Sequence, residues 1–344
     1  MRRIVALCHK RVMTLTKKDV VSNVLRGRTS MPRAEAKAFA PANIALCKYW
    51  GKRNEELNLP VTSSLSLSLG PLGSEVVLAI CEGSDRVELN GEAIPERAPF
   101  AARLFEFLDL FRPTPATHFN VIARNTIPTA AGFASSASGF AALVTALNDL
   151  FGWGLDKRAC SILARLGSGS ASRSVYEGFV EWHAGSREDG MDSYAEPLDA
   201  RWPELCMGLL TISSETKKTG SRPGMKHTIE TSPLYAAWPA KATRDLAELK
   251  SAIAARDFER LGRTAESNAL AMHATMIAAW PTLLYWLPES VRVMQRIVAM
   301  REDGVPLFFT MDAGPNIKLL FLDQSEAKVR EAFPDVQVVA PFTS

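Results

Sequence analysis

No stretch of this 344-residue chain approaches the roughly 20 consecutive apolar residues that cross a bilayer as a helix. A helical membrane span is therefore excluded by length alone. Cysteine is scarce: Cys8, Cys47, Cys81, Cys160 and Cys206 are scattered, with no C-x-x-C pair. That removes the usual zinc and dithiol-redox motifs and favours a reduced, cytoplasmic setting. The five histidines are equally dispersed and form no H-E-x-x-H; His273, in a run with helical spacing, reads as a packing residue. No Gly-Lys-Ser/Thr phosphate loop, internal repeat or low-complexity segment is present. A sustained excess of one charge is also lacking. The net charge is +3, but residues 1–34 hold nine Lys/Arg and one acid, Asp19, leaving 31 basic and 36 acidic residues in the remainder, a net of −5. A mildly acidic body offers no broad nucleic-acid surface.

What is present suits a globular protein with ample core: 47% hydrophobic and 22% charged residues. The length predicts two domains. Two-residue alternation over 62–69 and apolar runs over 38–50, 75–81 and 86–89 predict strands, with a hairpin turn at Asn90-Gly91. A helix is expected over 97–111, a strand over 117–123, helices over 137–151 and 156–167, and strands over 178–183 and 206–213. From 224 to 302 the pattern is mostly helical, punctuated by Pro281 and Pro288. Strands at 307–311 and 318–322 and a helix over 325–333 complete the chain. A strand-rich first half and a helix-rich second half predict an α+β class. The divisions are a flexible basic extension at 1–34, a first domain at 35–210 and a second at 211–344. The extension reads as an early translation start (Met13 and Met31 are alternatives), an Arg-rich targeting segment or a loose arm. A dispensable extension is the expectation.

Four clusters can carry chemistry. Residues 125–139 (NTIPTAAGFASSASG) are small and open an apolar helical run, so their backbone N–H groups and the helix dipole can hold phosphate. A tight strand-to-helix turn is the plainer reading. Lys48-Tyr49-Trp50-Gly51-Lys52-Arg53 places three cations at a strand end, suited to a polyanionic substrate or else to a solvated loop. Residues 167–174 (GSGSASRS) lack the third glycine of a dinucleotide turn. They present Arg173 either to a carboxylate or to the surface. Asp312, beside Gly314-Pro315, is a general base facing a cleft or an Asx-turn residue. A basic glycine-containing loop over 215–224 offers Lys217 or Lys218 to a nucleotide phosphate, or is plain surface.

Taken in order, residues 40–53, 57–60, 127–137, 167–174, 188–193 and 311–316 resemble the diphosphomevalonate decarboxylases of the GHMP kinase superfamily. The resemblance covers about residues 36 to 335, leaving the basic head outside. It implies a two-domain GHMP kinase-like fold with the active site in the cleft between the domains, and a left-handed βαβ crossover in the first. It also implies a reaction. ATP, with Mg2+, phosphorylates the 3-hydroxyl of (R)-mevalonate 5-diphosphate, and loss of CO2 and phosphate gives isopentenyl diphosphate. By motif position Asp312 handles the hydroxyl proton, Lys48 lies beside it, and Arg173 holds the carboxylate. Tyr49, Lys52, Arg97, Ser168 and Ser170 would contact the substrate. Pro128, Ala131, Gly132, Ala134, Ser135, Ser136 and Lys217 would contact ATP, with Ser136 also a ligand for the metal. Relatives that use the 5-monophosphate, stop at the 3-phosphate or merely sense ligand are the alternatives. The joint presence of Asp312, Lys48 and Arg173 favours the full reaction. A homodimer that binds neither membrane nor nucleic acid is expected.

Overall fold

In a computed structural model of the chain, residues 15–127, 135–215 and 217–342 are described. The first half begins with α1 (Lys17–Val24), β1 (Glu35–Cys47), a small hairpin of β2 (Lys52–Asn54) and β3 (Leu59–Pro60), then β4 (Ser64–Cys81), β5 (Arg86–Leu89) and β6 (Glu92–Ala93). It continues through α2 (Pro99–Leu108), β7 (His118–Asn125), α3 (Ser135–Phe151), α4 (Lys157–Gly167), a 3-10 turn (Gly169–Val175), β8 (Phe179–Trp182) and β9 (Ala195–Pro197). The second half contains β10 (Leu205–Leu210), helices α5 (Ser221–Thr231), α6 (Trp238–Ala255), α7 (Phe258–Ile277) and α8 (Pro288–Glu302), then β11 (Leu307–Met311), β12 (Ile317–Leu322), α9 (Glu326–Ala332) and β13 (Gln337–Val339).

The organising element is β4. The segments 62–69 and 75–81, expected as two strands, are one 18-residue strand. Its Gly70-Pro71-Leu72-Gly73 interruption is absorbed because β1 runs antiparallel beside both parts, with a register shift between Pro41 and Asn43. The other edge of β4 is shared by β8 on residues 64–67 and β7 on residues 74–81. β5 and β7 pair in parallel, with α2 on the connection. The Asn90-Gly91 turn forms with both residues at positive φ, as a two-residue hairpin demands. Helix α2 is shorter than expected because Pro99 takes its first turn, where its missing N–H costs nothing. Small residues of α3 (Ala137, Ala141, Ala142) are fully buried and let the helix lie close on β1 and β4. The short strands β2, β3, β9 and β13 carry too few residues for periodicity to register.

Residues 15–34 are not a loose extension. Thr16 and Asp19 close a capping box on α1, and Val20 and Val21 are 2% and 4% exposed in the first core. The N–H groups of Met31 and Arg33 donate to the carbonyls of Phe151 and Leu150. Burying two β-branched side chains against the helical layer fixes a segment whose charge composition pointed to solvent. The second sheet, in the order β11-β12-β10-β13, is built wholly from residues after 204. One apolar cluster joins the halves: Ile44, Leu46 and Leu67 pack with Trp238, Leu249 and Phe308.

Candidate active site

The C-terminal end of β1 delivers Lys48 into the junction of the halves. Its side chain is 2% exposed. The backbone N–H donates to Asn268 Oδ1 of α7 at 2.8 Å, and Nζ donates to the Ala45 carbonyl at 2.7 Å and to Asp312 Oδ1 at 2.9 Å. Burial lowers the Lys48 ammonium to about 8, against the pull of Asp312. Asp312 stands one residue beyond β11, its side chain 35% exposed. Its second oxygen, Oδ2, is 3.1 Å from Nζ of Lys318, a 2%-exposed side chain on β12. Burial alone would raise the Asp312 carboxyl; Lys318 and Lys48 outweigh it and hold the group well below the usual carboxylate range. His273 of α7 bonds the Asp312 backbone carbonyl at 3.0 Å and stacks on Trp286, the packing role its helical position suggested.

Arg173 enters from the 3-10 turn and is 2% exposed. Its guanidinium donates to Ser64 Oγ at 2.5 Å and to Asn43 Oδ1 at 3.3 Å. No carboxylate pairs with it within bonding distance among the described residues, and burial brings it down to about 10. Asn43 is fixed in turn by donating to Ser174 Oγ at 2.7 Å. Tyr49 packs edge-on against Trp182 with centroids 4.8 Å apart, and its buried hydroxyl has no partner among the described residues. Gly169 makes that approach possible: a Cβ there would sit 2.8 Å from the Tyr49 ring. Lys52 Nζ donates to Asn58 Oδ1 at 2.8 Å, and burial followed by Arg222 lowers it to about 8. The Ser168 and Ser170 hydroxyls lie 3.4 Å apart. Arg103 and Arg222 both donate to the Gly167 carbonyl, at 3.0 and 2.5 Å.

Lys48, Tyr49, Lys52, Ser168, Ser170 and Asp312, with the three arginines, line one cavity of about 500 Å3. Six cations face it (Lys48, Lys52, Arg103, Arg173, Lys217 and Arg222) against one acid, Asp312. Mutually repelling cations gathered around so little negative charge are arranged for a ligand with several anionic groups. Ser136, in the first turn of α3, is on the same wall. Lys217 reaches the Ala313 carbonyl at 2.7 Å, while Lys218 is exposed. Arg97 is exposed ahead of α2 and does not line the cavity; Arg103, six residues further on, does. Pro128, Ala131, Gly132 and Ala134 lie outside the described residues, as does the side chain of Ser135. Sequence reasoning also missed Arg222, Asn43 and Lys318. For Lys318 a signal existed: a lysine inside the otherwise apolar Ile317–Leu322.

Residues 40–195 match the family model described as the diphosphomevalonate decarboxylase-like N-terminal domain, and residues 208–340 match the mevalonate 5-diphosphate decarboxylase C-terminal domain. This chain belongs to the diphosphomevalonate decarboxylase family. Among curated relatives, the human diphosphomevalonate decarboxylase is 38% identical over 320 residues, covering 86% of this chain and 79% of that one. The mevalonate diphosphate decarboxylase of Staphylococcus aureus superposes with a TM-score of 0.84 at 37% identity, covering 89% and 95% of the two chains. A solved structure designated MDDEF, in complex with MVAPP, AMPPCP and magnesium, gives 0.82 at 39% identity, covering 90% and 98%. The fold shared with these decarboxylases is the GHMP kinase-like one, and the cavity occupies the junction of its two matched domains.

Proposed function

We propose that this chain catalyses the ATP-dependent decarboxylation of (R)-mevalonate 5-diphosphate to isopentenyl diphosphate, ADP, phosphate and CO2. The observation that carries the reading is the single cavity in which six cations face one acid. A substrate with a carboxylate at one end and a diphosphate at the other, meeting a transferring phosphate, supplies the missing negative charge. Arg173 holds the carboxylate, its planar donors suited to two parallel hydrogen bonds. Tyr49, Lys52, Ser168, Ser170, Arg103 and Arg222 take the diphosphate. Asp312 accepts the hydrogen bond of the 3-hydroxyl, with Lys48 beside it toward the incoming phosphoryl group.

A tertiary alcohol is a weak nucleophile, but phosphoryl transfer has a loose transition state that rewards positioning and charge over a strong base. The 3-oxygen forms its bond to the γ-phosphorus as that phosphorus separates from the oxygen bridging to ADP. The hydroxyl proton passes late to Asp312, a contribution of roughly 10²–10⁴-fold for a positioned base. The C3–O bond then breaks, phosphate leaves with the electron pair, and the pair of the C–CO2⁻ bond closes the double bond. Arg173 keeps the carboxylate in place until then. The α3 N-terminus, Ser135, Ser136 and Lys217 serve the nucleotide phosphates.

Among the described residues no group of three or more His, Cys, Asp or Glu could cage a metal. Mg2+ entering with ATP would be held mainly by the substrate phosphates and water, and the Ser136 hydroxyl on the cavity wall would be its protein ligand. When bound, the ion neutralises charge on the β- and γ-phosphates. We also place the enzyme in the cytoplasm, on its scattered cysteines, and infer a homodimer from the family resemblance.

Product analysis tests the reading. Purified protein with ATP, Mg2+ and (R)-mevalonate 5-diphosphate should release ADP, phosphate and CO2 in equal amounts, and Asp312→Asn should abolish all three. ADP without CO2 would make the protein a 3-kinase. Preference for the 5-monophosphate would reassign the substrate, and silence with both would leave a ligand sensor.

A further inference from the structure

We infer that Lys318 is a positioning residue for this reaction, pinning the second oxygen of Asp312 so that one edge of the carboxylate is presented to the cavity. The inference rests on the proposed function of that site. It comes from an excess in the geometry. One lysine, Lys48, is enough to pair Asp312, and it does so on Oδ1 at 2.9 Å. A second lysine approaches Oδ2 at 3.1 Å from the opposite strand. Lys318 sits on β12 directly across from Thr310 of β11, two residues before Asp312, so the sheet register dictates the approach. Its side chain is 2% exposed, and it does not line the cavity. Its ammonium therefore makes no direct contact with a ligand in the cavity, and its nearest cavity-lining charge is the Asp312 carboxylate.

Burying a second ammonium is expensive, and one carboxylate cannot offset two of them. An apolar residue would be the cheaper occupant of an interior strand position flanked by Ile317 and Leu319. What Lys318 supplies is orientation. With each oxygen engaged by a different strand, the carboxylate cannot rotate about its terminal bond. Each oxygen still has a lone pair to offer the 3-hydroxyl. The other groups facing Asp312 push the same way: Arg173 from the 3-10 turn and Lys217 from the loop before α5 are cationic, and His273 touches only its backbone carbonyl. Asp312 is held ionised in the resting site, ready to orient the hydroxyl rather than to strip its proton early.

Lys318→Met removes the charge while keeping the stem. It should lower kcat on the order of 10²-fold, the cost of a slightly misplaced catalytic group. KM for both substrates should stay within about threefold, because the lost interaction is with Asp312 and not with ligand. Lys318→Arg should recover most of kcat. The thermal unfolding midpoint supplies a second cycle, independent of turnover. Asp312→Asn should lower it by removing the one negative charge that the two buried ammonium groups share, and adding Lys318→Met to that variant should raise it again. Parental kcat in Lys318→Met, a loss confined to KM, or additive midpoint shifts across the cycle would each overturn the inference. A parent enzyme inactive on mevalonate 5-diphosphate would instead sink the functional reading, leaving the stability cycle to decide whether Lys318 and Asp312 are coupled.

Discussion

Arg173 makes a prediction with two signs. Its guanidinium is 2% exposed, and the side-chain partners it bonds, Ser64 and Asn43, are neutral. Burial brings its pKa from 12.5 to about 10. At ~1.4 kcal/mol per tenfold in acidity, roughly 3 kcal/mol is held against the charged form in the ligand-free protein. Replacing it by methionine removes that cost. The Ser64 hydroxyl and the Asn43 amide oxygen each lose a donor, at about 1–3 kcal/mol apiece if buried and unsatisfied. The two contributions nearly cancel, so Arg173→Met should unfold within a few degrees of the parent. Turnover should behave differently. With a substrate carboxylate in place, removing Arg173 breaks a buried charge pair, worth about 3–5 kcal/mol, or roughly 10²–10⁴-fold in kcat/KM. The assay is paired: kcat/KM from coupled ADP release, and calorimetric unfolding with and without mevalonate 5-diphosphate. The parent should be stabilised by ligand far more than the variant. A kcat/KM within tenfold of the parent would refute the assignment, and so would a loss of activity matched by a collapse of the unfolding midpoint.

Two further outcomes are expected. Val20→Asp puts a carboxylate where a side chain is 2% exposed, against an apolar burial worth about 1.5–3 kcal/mol. Helix α1 should come off without unfolding the body, so trypsin should cut at Arg26 and Arg28 faster than in the parent; equal cleavage rates would show that α1 does not dock in solution. His273 is held neutral by burial, with its pKa lowered from 6.5 to about 3. The unfolded chain therefore takes up a proton below pH 6.5 that the folded chain refuses. Stability is lost as pH falls from 6.5 toward 3, by about 2 kcal/mol at pH 5. Urea unfolding at pH 7 and 5 should show that extra loss in the parent and not in His273→Gln, and identical pH dependence in the two would dismiss it.

Much of the fold is legible without coordinates. Leu307–Met311 reads as a strand from its apolar run, and Asn90-Gly91 declares a hairpin by chemistry. The motif residues Lys48, Tyr49, Lys52, Ser168, Ser170, Arg173, Lys217 and Asp312 all reach one cavity. Where reading along the chain failed, the cause was non-local. The Gly70–Gly73 interruption looks like the end of a strand, yet β1 pairs across it. Val20 and Val21 look like part of a charged tail until the helical layer covers them. Arg97 stands in a short motif, but the turn ahead of α2 faces it to solvent, and Arg103 on the helix points inward.

The sequence by itself determined the class of this protein, most of its longer strand and helix segments and its family, because periodicity, turn chemistry and motif order are local properties of the chain. Only the tertiary structure decided the charge state of the site. Lys48 and Asp312 are 264 positions apart, and Lys318 belongs to no motif. The shifted pKa values of Lys48 and Asp312 and the surplus of cations exist only once two sheets close around one cavity, since charge interactions depend on distance in space and on the water that folding removes.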